Sequence, residues 1–352
     1  MTTKTAPLAP DAAPPRVAIL DTSRRRAAGL LGVLLLVLLS AAASLAVGSK
    51  SVPLADVWTA LTAPDGSDAT AIVRDLRIPR TLLGLLVGAA LGAGGAVMQG
   101  VTRNPLAEPG LLGINAGASL AVVLAISVAG VDAVSAYAGV ALVGAGITAA
   151  LVFALGGTGR GGPTPIRLAL AGAVLMTLLV SITSAILVFD ARTLDEFRFW
   201  LVGSIAGRDA AVTAAVAPFV LAGLGLALAS GRGLNGLALG DDVARSLGLE
   251  VARTRVVASA GFVLLAGGAV AAAGPIAFVG LAVPHLARLL VGPDYRWIVP
   301  YALLLGAVVL LGGDVLGRVV ARPAELQVGI VTALFGAPFF IWLVRRRKLV
   351  AL

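Results

Sequence analysis

Residues 81–101 read TLLGLLVGAALGAGGAVMQGV, an unbroken run without a charged side chain. At about 1.5 Å per residue, a helix of this length reaches about 30 Å, the thickness of a bilayer's hydrocarbon core. Gly84, Gly88 and Gly92 recur every fourth residue, which puts them on one helical face. Such a face lets two helices meet backbone to backbone, and in lipid close packing replaces the hydrophobic drive that is missing there. The spacing reads as packing rather than as a gate.

Similar runs extend to both sides. The spacing predicts spans at 27–47, 81–101, 111–131, 134–155, 167–189, 211–229, 255–273, 275–290, 298–316 and 328–344. Of 352 residues, 59% are hydrophobic and 13% charged, with a mean hydropathy of +0.99. A soluble domain of this size would still need polar groups to cover its surface. The expected fold class is therefore all-α, a polytopic membrane protein of about ten transmembrane helices. The longest stretch between spans, 48–80, is too short for a core of its own. Residues 24–348 are thus expected to form a single transmembrane domain. Residues 1–23 begin rich in Pro, Ala and Thr and read as a disordered cytoplasmic tail. The run after Arg24–Arg26 is longer than a signal peptide's apolar region and reads as a retained first span.

With both termini in the cytoplasm, ten spans place 18 of the 27 cations inside and 11 of the 18 acids outside. That is the bias the positive-inside rule requires, and the opposite orientation reverses it. The net charge of +9 is then a matter of topology, and no nucleic-acid partner is expected.

The chain lacks cysteine and has one histidine, His285, which excludes disulfides, thiol catalysis and a multi-histidine metal centre. No catalytic residue, metal site or cofactor is expected. None of the three lysines (Lys4, Lys50, Lys348) follows a phosphate-loop pattern. Asp190 and Asp314 approach membrane depth only near outer span ends, where a midplane ion-coupling site would not sit. Uphill movement of a cargo would need energy from another subunit. From a different class, an ion-coupled secondary transporter is the alternative; a membrane-bound enzyme finds no constellation to support it.

Four stretches break the apolar pattern. Arg74, Arg77 and Arg80 crowd the outer side before the second span, either as interfacial snorkelling or as a patch for an acidic partner. Residues 103–110, RNPLAEPG, carry two prolines that prevent a simple helical hairpin, giving a turn or an inner constriction. In 237–249, LALGDDVARSLGL, Asp241 or Asp242 can cap a short inner helix with Val243, Leu247 and Leu249 on its apolar face, and Gly248 can end it. In 274–288, GPIAFVGLAVPHLAR, Pro284 frees a backbone carbonyl that His285 is expected to satisfy, unless it caps a neighbouring helix.

The strings RIPRTLLGLLVGAALGAGGAVMQG (77–100), NPLAEPGLLGINAGA (104–118), LALGDDVARSLGL (237–249), GPIAFVGLAVPHLAR (274–288) and ELQVGIVTALFGAPFFIWL (325–343) together resemble the FecCD/BtuC-like permeases. These are the membrane subunits of type II ABC importers for ferric siderophores, haem and cobalamin, and the likeness spans about residues 27–348. The resemblance implies a multi-pass protein of the cytoplasmic membrane that pairs with a second permease subunit, identical or homologous. It also implies two separate ATP-binding subunits and an extracytoplasmic substrate-binding protein. By position, Arg77, Arg80 and Arg318 match the arginines that dock the binding protein. Leu239, Gly240, Asp241, Ala244, Arg245, Leu247 and Gly248 fall in the coupling helices that seat on the ATPase. Asn104 and Leu106 match one cytoplasmic gate. Thr164 and Pro165 fall at a second gate, although here the local sequence is Gly-Pro-Thr-Pro rather than serine/threonine-rich. The function implied is permeation of an iron–siderophore complex, with haem or cobalamin as alternatives within the family.

Overall fold

The computed structural model describes residues 18–131, 134–157 and 164–345. The first part of the expected tail, the turn at Asp132, Arg160, the Gly162-Pro163 start of the second gate stretch and Arg346–Lys348 lie outside these residues. Fifteen α-helices follow one another: α1 (Ser23–Ala46), α2 (Leu54–Thr62), α3 (Asp68–Ala71), α4 (Ile78–Thr102), α5 (Ile114–Ala129), α6 (Val134–Gly156), α7 (Pro165–Phe189), α8 (Ala191–Leu201), α9 (Ala210–Ala229), α10 (Gly231–Ala238), α11 (Asp241–Ser246), α12 (Val251–Ala273), α13 (Val279–Val291), α14 (Tyr295–Val320) and α15 (Val328–Arg345). Six residues of wider π-helix, Ile72–Arg77, lead from α3 into α4. Among the described residues seven helical segments are long and apolar enough to cross a membrane. Three shorter apolar helices, α5, α13 and α15, complete the expected ten.

The bundle is organised around α4, which packs along α12, α13 and α14. Small residues allow this. The face carrying Gly84, Gly88 and Gly92 meets α14, as the spacing predicts. A Cβ on Gly92 would stand 2.0 Å from the carbonyl oxygen of Ala302, and one on Gly88 would stand 2.5 Å from that of Gly306. A second face presents Gly95 to α13, where a Cβ would come within 1.9 Å of the Gly280 carbonyl oxygen.

Two breaks differ from simple hairpins. α13 has 13 residues, about 20 Å of helix, too short to cross the hydrocarbon core alone. Residues 274–278 are non-helical before it, because Gly274 (φ 73°) and Pro275 end α12 and Phe278 is held left-handed at φ 68°. Gly95 lies seven residues above the inner end of α4, so its contact with Gly280 sets the start of α13 about 10 Å into the bundle. The 103–113 loop enters from the inner side, through a 3₁₀ turn at Pro109–Leu112, and α5 starts only at Ile114. Irregular backbone at such depth persists only where protein groups satisfy it. At the other end of the sequence, Leu20 donates its N–H to the Leu290 carbonyl at 2.8 Å, so packed chain begins within the expected tail.

The α4–α14 contact leaves no room for a side chain. Gly92→Val should destabilise the protein in detergent by about 3 kcal/mol or more. Gly32→Val, on α1 where a Cβ meets nothing within 4 Å, should leave the melting temperature unchanged. Equal melting curves for both variants would refute this account of the packing.

Candidate functional site

The outer arginines form one cluster. Arg80, in the first turn of α4, faces Asp314 of α14, with Nη2 at 2.7 Å and Nε at 3.0 and 3.1 Å from the carboxylate; its Nη1 reaches Glu325 at 2.7 Å. Arg318, one turn beyond Asp314, pairs with it at 2.6 Å and donates to the Ser44 and Val47 carbonyls of the α1 end at 2.9 and 3.1 Å. Ser44 in turn shares a hydrogen bond with Thr81 at 2.8 Å. Arg77 donates to the Leu45 carbonyl at 2.6 Å and to that of Lys50. Asp314 is 1% exposed, Arg318 2% and Arg77 5%, so all three lie inside the protein. The arginines expected to dock a partner converge, but two are buried and the third is shared between buried Asp314 and exposed Glu325, a partnership that no local pattern announces. The three guanidinium groups still line a common outer cavity of about 210 Å³ with Lys50 and Glu325.

On the inner side, the 237–249 segment folds as the end of α10, a glycine hinge and α11. Gly240, at φ 96°, is the N-cap, and Asp241 and Asp242 occupy the first turn rather than capping it. There they complement the helix dipole. Gly248, at φ 81°, ends the helix: its N–H bonds the Arg245 carbonyl and that of Leu249 bonds the Ala244 carbonyl, a Schellman arrangement. Ala244 is fully buried, while Leu239, Val243 and Leu247 are exposed on the cytoplasmic side. Asp241 is bracketed by arginines: Arg255 of α12 at 2.7 Å, Arg103 at 3.2 Å and Arg245 at 3.8 Å. Arg103 is the left-handed C-cap of α4 and the first residue of the gate stretch. One carboxylate thus ties the coupling segment to the α4 end and to α12.

The gate residues have identifiable local roles. Asn104 accepts the Leu106 N–H at 2.9 Å and so shapes the turn that leaves Leu106 41% exposed. Thr164 caps α7 by accepting the Arg167 N–H, with Pro165 at the first helical position, a pairing whose fixed φ suits a helix start. The 103–113 loop approaches α7 at Gly172 and Met176, two turns into the helix, rather than at Thr164 and Pro165.

Between the two faces, polar side chains repair the broken helices. Glu108 accepts the Phe278 N–H at 2.9 Å, closing the 103–113 loop against the start of α13. Sequence reasoning gave this acid no role; its place between Pro105 and Pro109 was the available signal. Pro284 frees the Gly280 carbonyl, and the donor that reaches it is Gln99 at 3.4 Å, not His285. His285 Nδ1 lies 2.9 Å from the Leu281 carbonyl oxygen instead. Gln99 also accepts from Arg288 at 2.7 Å, and Arg288 lies against the Tyr295 ring. Among the described residues no group of three or more His, Cys, Asp or Glu side chains could hold a metal ion.

Residues 34–346 match the FecCD transport family. The ferric enterobactin transport system permease protein FepD of Escherichia coli (strain K12) is 44% identical over 323 residues, covering 92% of this chain and 96% of its own. The hemin transport system permease protein HmuU of Yersinia pestis is 36% identical over 326 residues, covering 91% and 96%. A solved inward-facing structure, described as that of a metal-chelate type ABC transporter, superposes with a TM-score of 0.79 at 30% identity, covering 91% of this chain and 99% of that one. With its family match running from α1 to the end of α15, this multi-pass membrane protein belongs to the FecCD transport family.

Proposed function

We propose that this chain is the membrane subunit of an ABC importer that passes a ferric siderophore across the cell membrane. The observation that carries the transport mechanism is the inner-face geometry: the α10–α11 segment offers Leu239, Val243 and Leu247 to the cytoplasm, while Asp241 beneath them holds Arg103 at the gate stretch. An exposed apolar patch of this kind suits a docked protein. ATP-driven movement of a partner seated on α11 would then reach the 103–113 loop through a single ion pair. The choice of cargo rests on likeness to a ferric enterobactin permease across nearly the full length of both chains. The likeness to a hemin permease, at lower identity, makes haem the second reading.

The machine needs three kinds of partner: a second permease copy or homologue to enclose the pathway, two ATP-binding subunits on the inner face, and a binding protein outside. The outer cavity lined by Arg77, Arg80, Arg318 and Lys50 supports the last of these. Its cations outnumber the adjacent acids Asp314 and Glu325, leaving an excess positive charge for an acidic side chain of the binding protein. An ion-coupled carrier is the weaker reading, because Asp314 and Glu108, the acids set into the bundle, are both held by internal donors.

In vesicles holding the complete complex, Asp241→Ala should leave insertion and ATP hydrolysis in place while cutting ATP-dependent uptake at least about tenfold, as expected for the loss of a charge-assisted contact. Undiminished uptake would overturn the coupling role. Removal of 237–249 should abolish uptake without preventing membrane insertion.

For the outer face, Arg80→Glu should weaken binding-protein docking, and a matching acid-to-arginine change on the partner should restore it. Arg318→Glu should instead lower the melting temperature, because it leaves a buried charge without its partner, a loss of about 3–5 kcal/mol. Docking unaffected by Arg80→Glu would remove this arginine from the interface.

A further inference from the structure

A second outer cavity adjoins the arginine cluster. It has a volume of about 460 Å³ and lies where the loop after α8 meets the start of α15, lined by the rings of Tyr137, Phe199 and Trp200 and by the polar groups of Arg208 and Gln327. Arg80 and Glu325 border both cavities but answer one another at 2.7 Å. Glu196, also on its wall, accepts from Arg192 at 3.1 Å and from the Tyr137 hydroxyl at 3.2 Å. These charges are matched.

Arg208 is not. Among the described residues no hydrogen bond or ion pair engages it, and its Nε is buried without an acceptor. The side-chain oxygen of Gln327 is buried and unpartnered in the same cavity. Burial pushes the Arg208 pKa down, with only the Tyr137 phenol acting in the other direction. A buried polar atom left unpaired is costly, and more so in a charged group. Both residues line one roomy, aromatic-walled cavity, where an unengaged guanidinium marks a place for a ligand to complete the set.

We infer that this cavity is a cargo-reading subsite of the permease, in which the Arg208 guanidinium receives an acidic oxygen of the chelate, carboxylate or catecholate, with Gln327 beside it on the cavity wall. The three rings offer their faces to the planar part of the same ligand. A single acidic side chain from a docked protein would leave most of the volume empty and its aromatic walls without contact. The inference rests on the proposed reading as a ferric-chelate permease and adds to it a preference for anionic cargo.

The test is uptake by the complete complex, in cells lacking their own permease, of ferric citrate, a ferric tricatecholate and a ferric trihydroxamate without free carboxylates. Membrane levels of each variant are matched by immunoblot. Arg208→Gln should reduce carboxylate and catecholate uptake about tenfold or more, as befits one lost charge-assisted hydrogen bond, and leave the hydroxamate within about twofold. Arg208→Lys should recover part of the anionic uptake. Equal loss for all three cargoes, no loss for any, or equal loss in the Gln and Lys variants would overturn the subsite. Wild-type protein that carries only the hydroxamate would overturn it too. Wild-type protein that carries no ferric chelate would refute the proposed function itself.

Discussion

The close approach of α4 and α14 is the constraint on which the other contacts depend. Where Gly88 and Gly92 meet Ala302 and Gly306, the two backbones lie within carbonyl contact. Without that approach Arg80 and Asp314, at the outer end of the same pair, would not reach each other. The inner end of α4 is set by the same packing. It brings Gln99 under the break in α13, and Arg103 under α11. Lipid offers these helices no hydrophobic reason to associate, so the absence of side chains at the crossing is what lets dispersion and polar contacts act at all.

The buried charges then serve geometry more than stability. Taking Arg80, Asp314 and Arg318 out of water costs desolvation that their mutual attraction roughly offsets. Breaking the set is another matter, since a buried charge would be stranded. The cluster joins the outer ends of α1, α4 and α14 in one arrangement, with the Ser44–Thr81 bond beside it. On the inner side Asp241 does the same for the ends of α4, α11 and α12. One site fixes the outer rim, and the other leaves a handle for a partner to move.

Between them lie the two irregular segments that a bilayer would not tolerate unprotected. The 103–113 loop and the irregular 274–278 stretch meet through Glu108 and the Phe278 N–H, and Gln99 covers the carbonyl that Pro284 frees. The helix breaks thus lie against each other rather than against lipid. The same loop is tied by Arg103 to Asp241 of the 237–249 segment.

The number and order of spans, their sidedness, the glycine face of α4 and the glycine that ends α11 were all legible in the sequence, because each depends on hydropathy, charge or backbone freedom over a few neighbouring residues. Gly274-Pro275 marked the break before α13, but the span expected from residue 275 begins only at Val279. The local pattern could not say that Gln99 rather than His285 answers the proline-freed carbonyl. Nor could it say that Arg318 faces inward, that Glu108 holds α13, or that Arg208 stands without a partner among the described residues. Those outcomes are decided between residues on different elements, as far as 274 positions apart for Arg318 and Ser44. A guanidinium's partner depends on which carboxylate the packed bundle places within 3 Å of it, and periodicity along one helix carries no information about that distance.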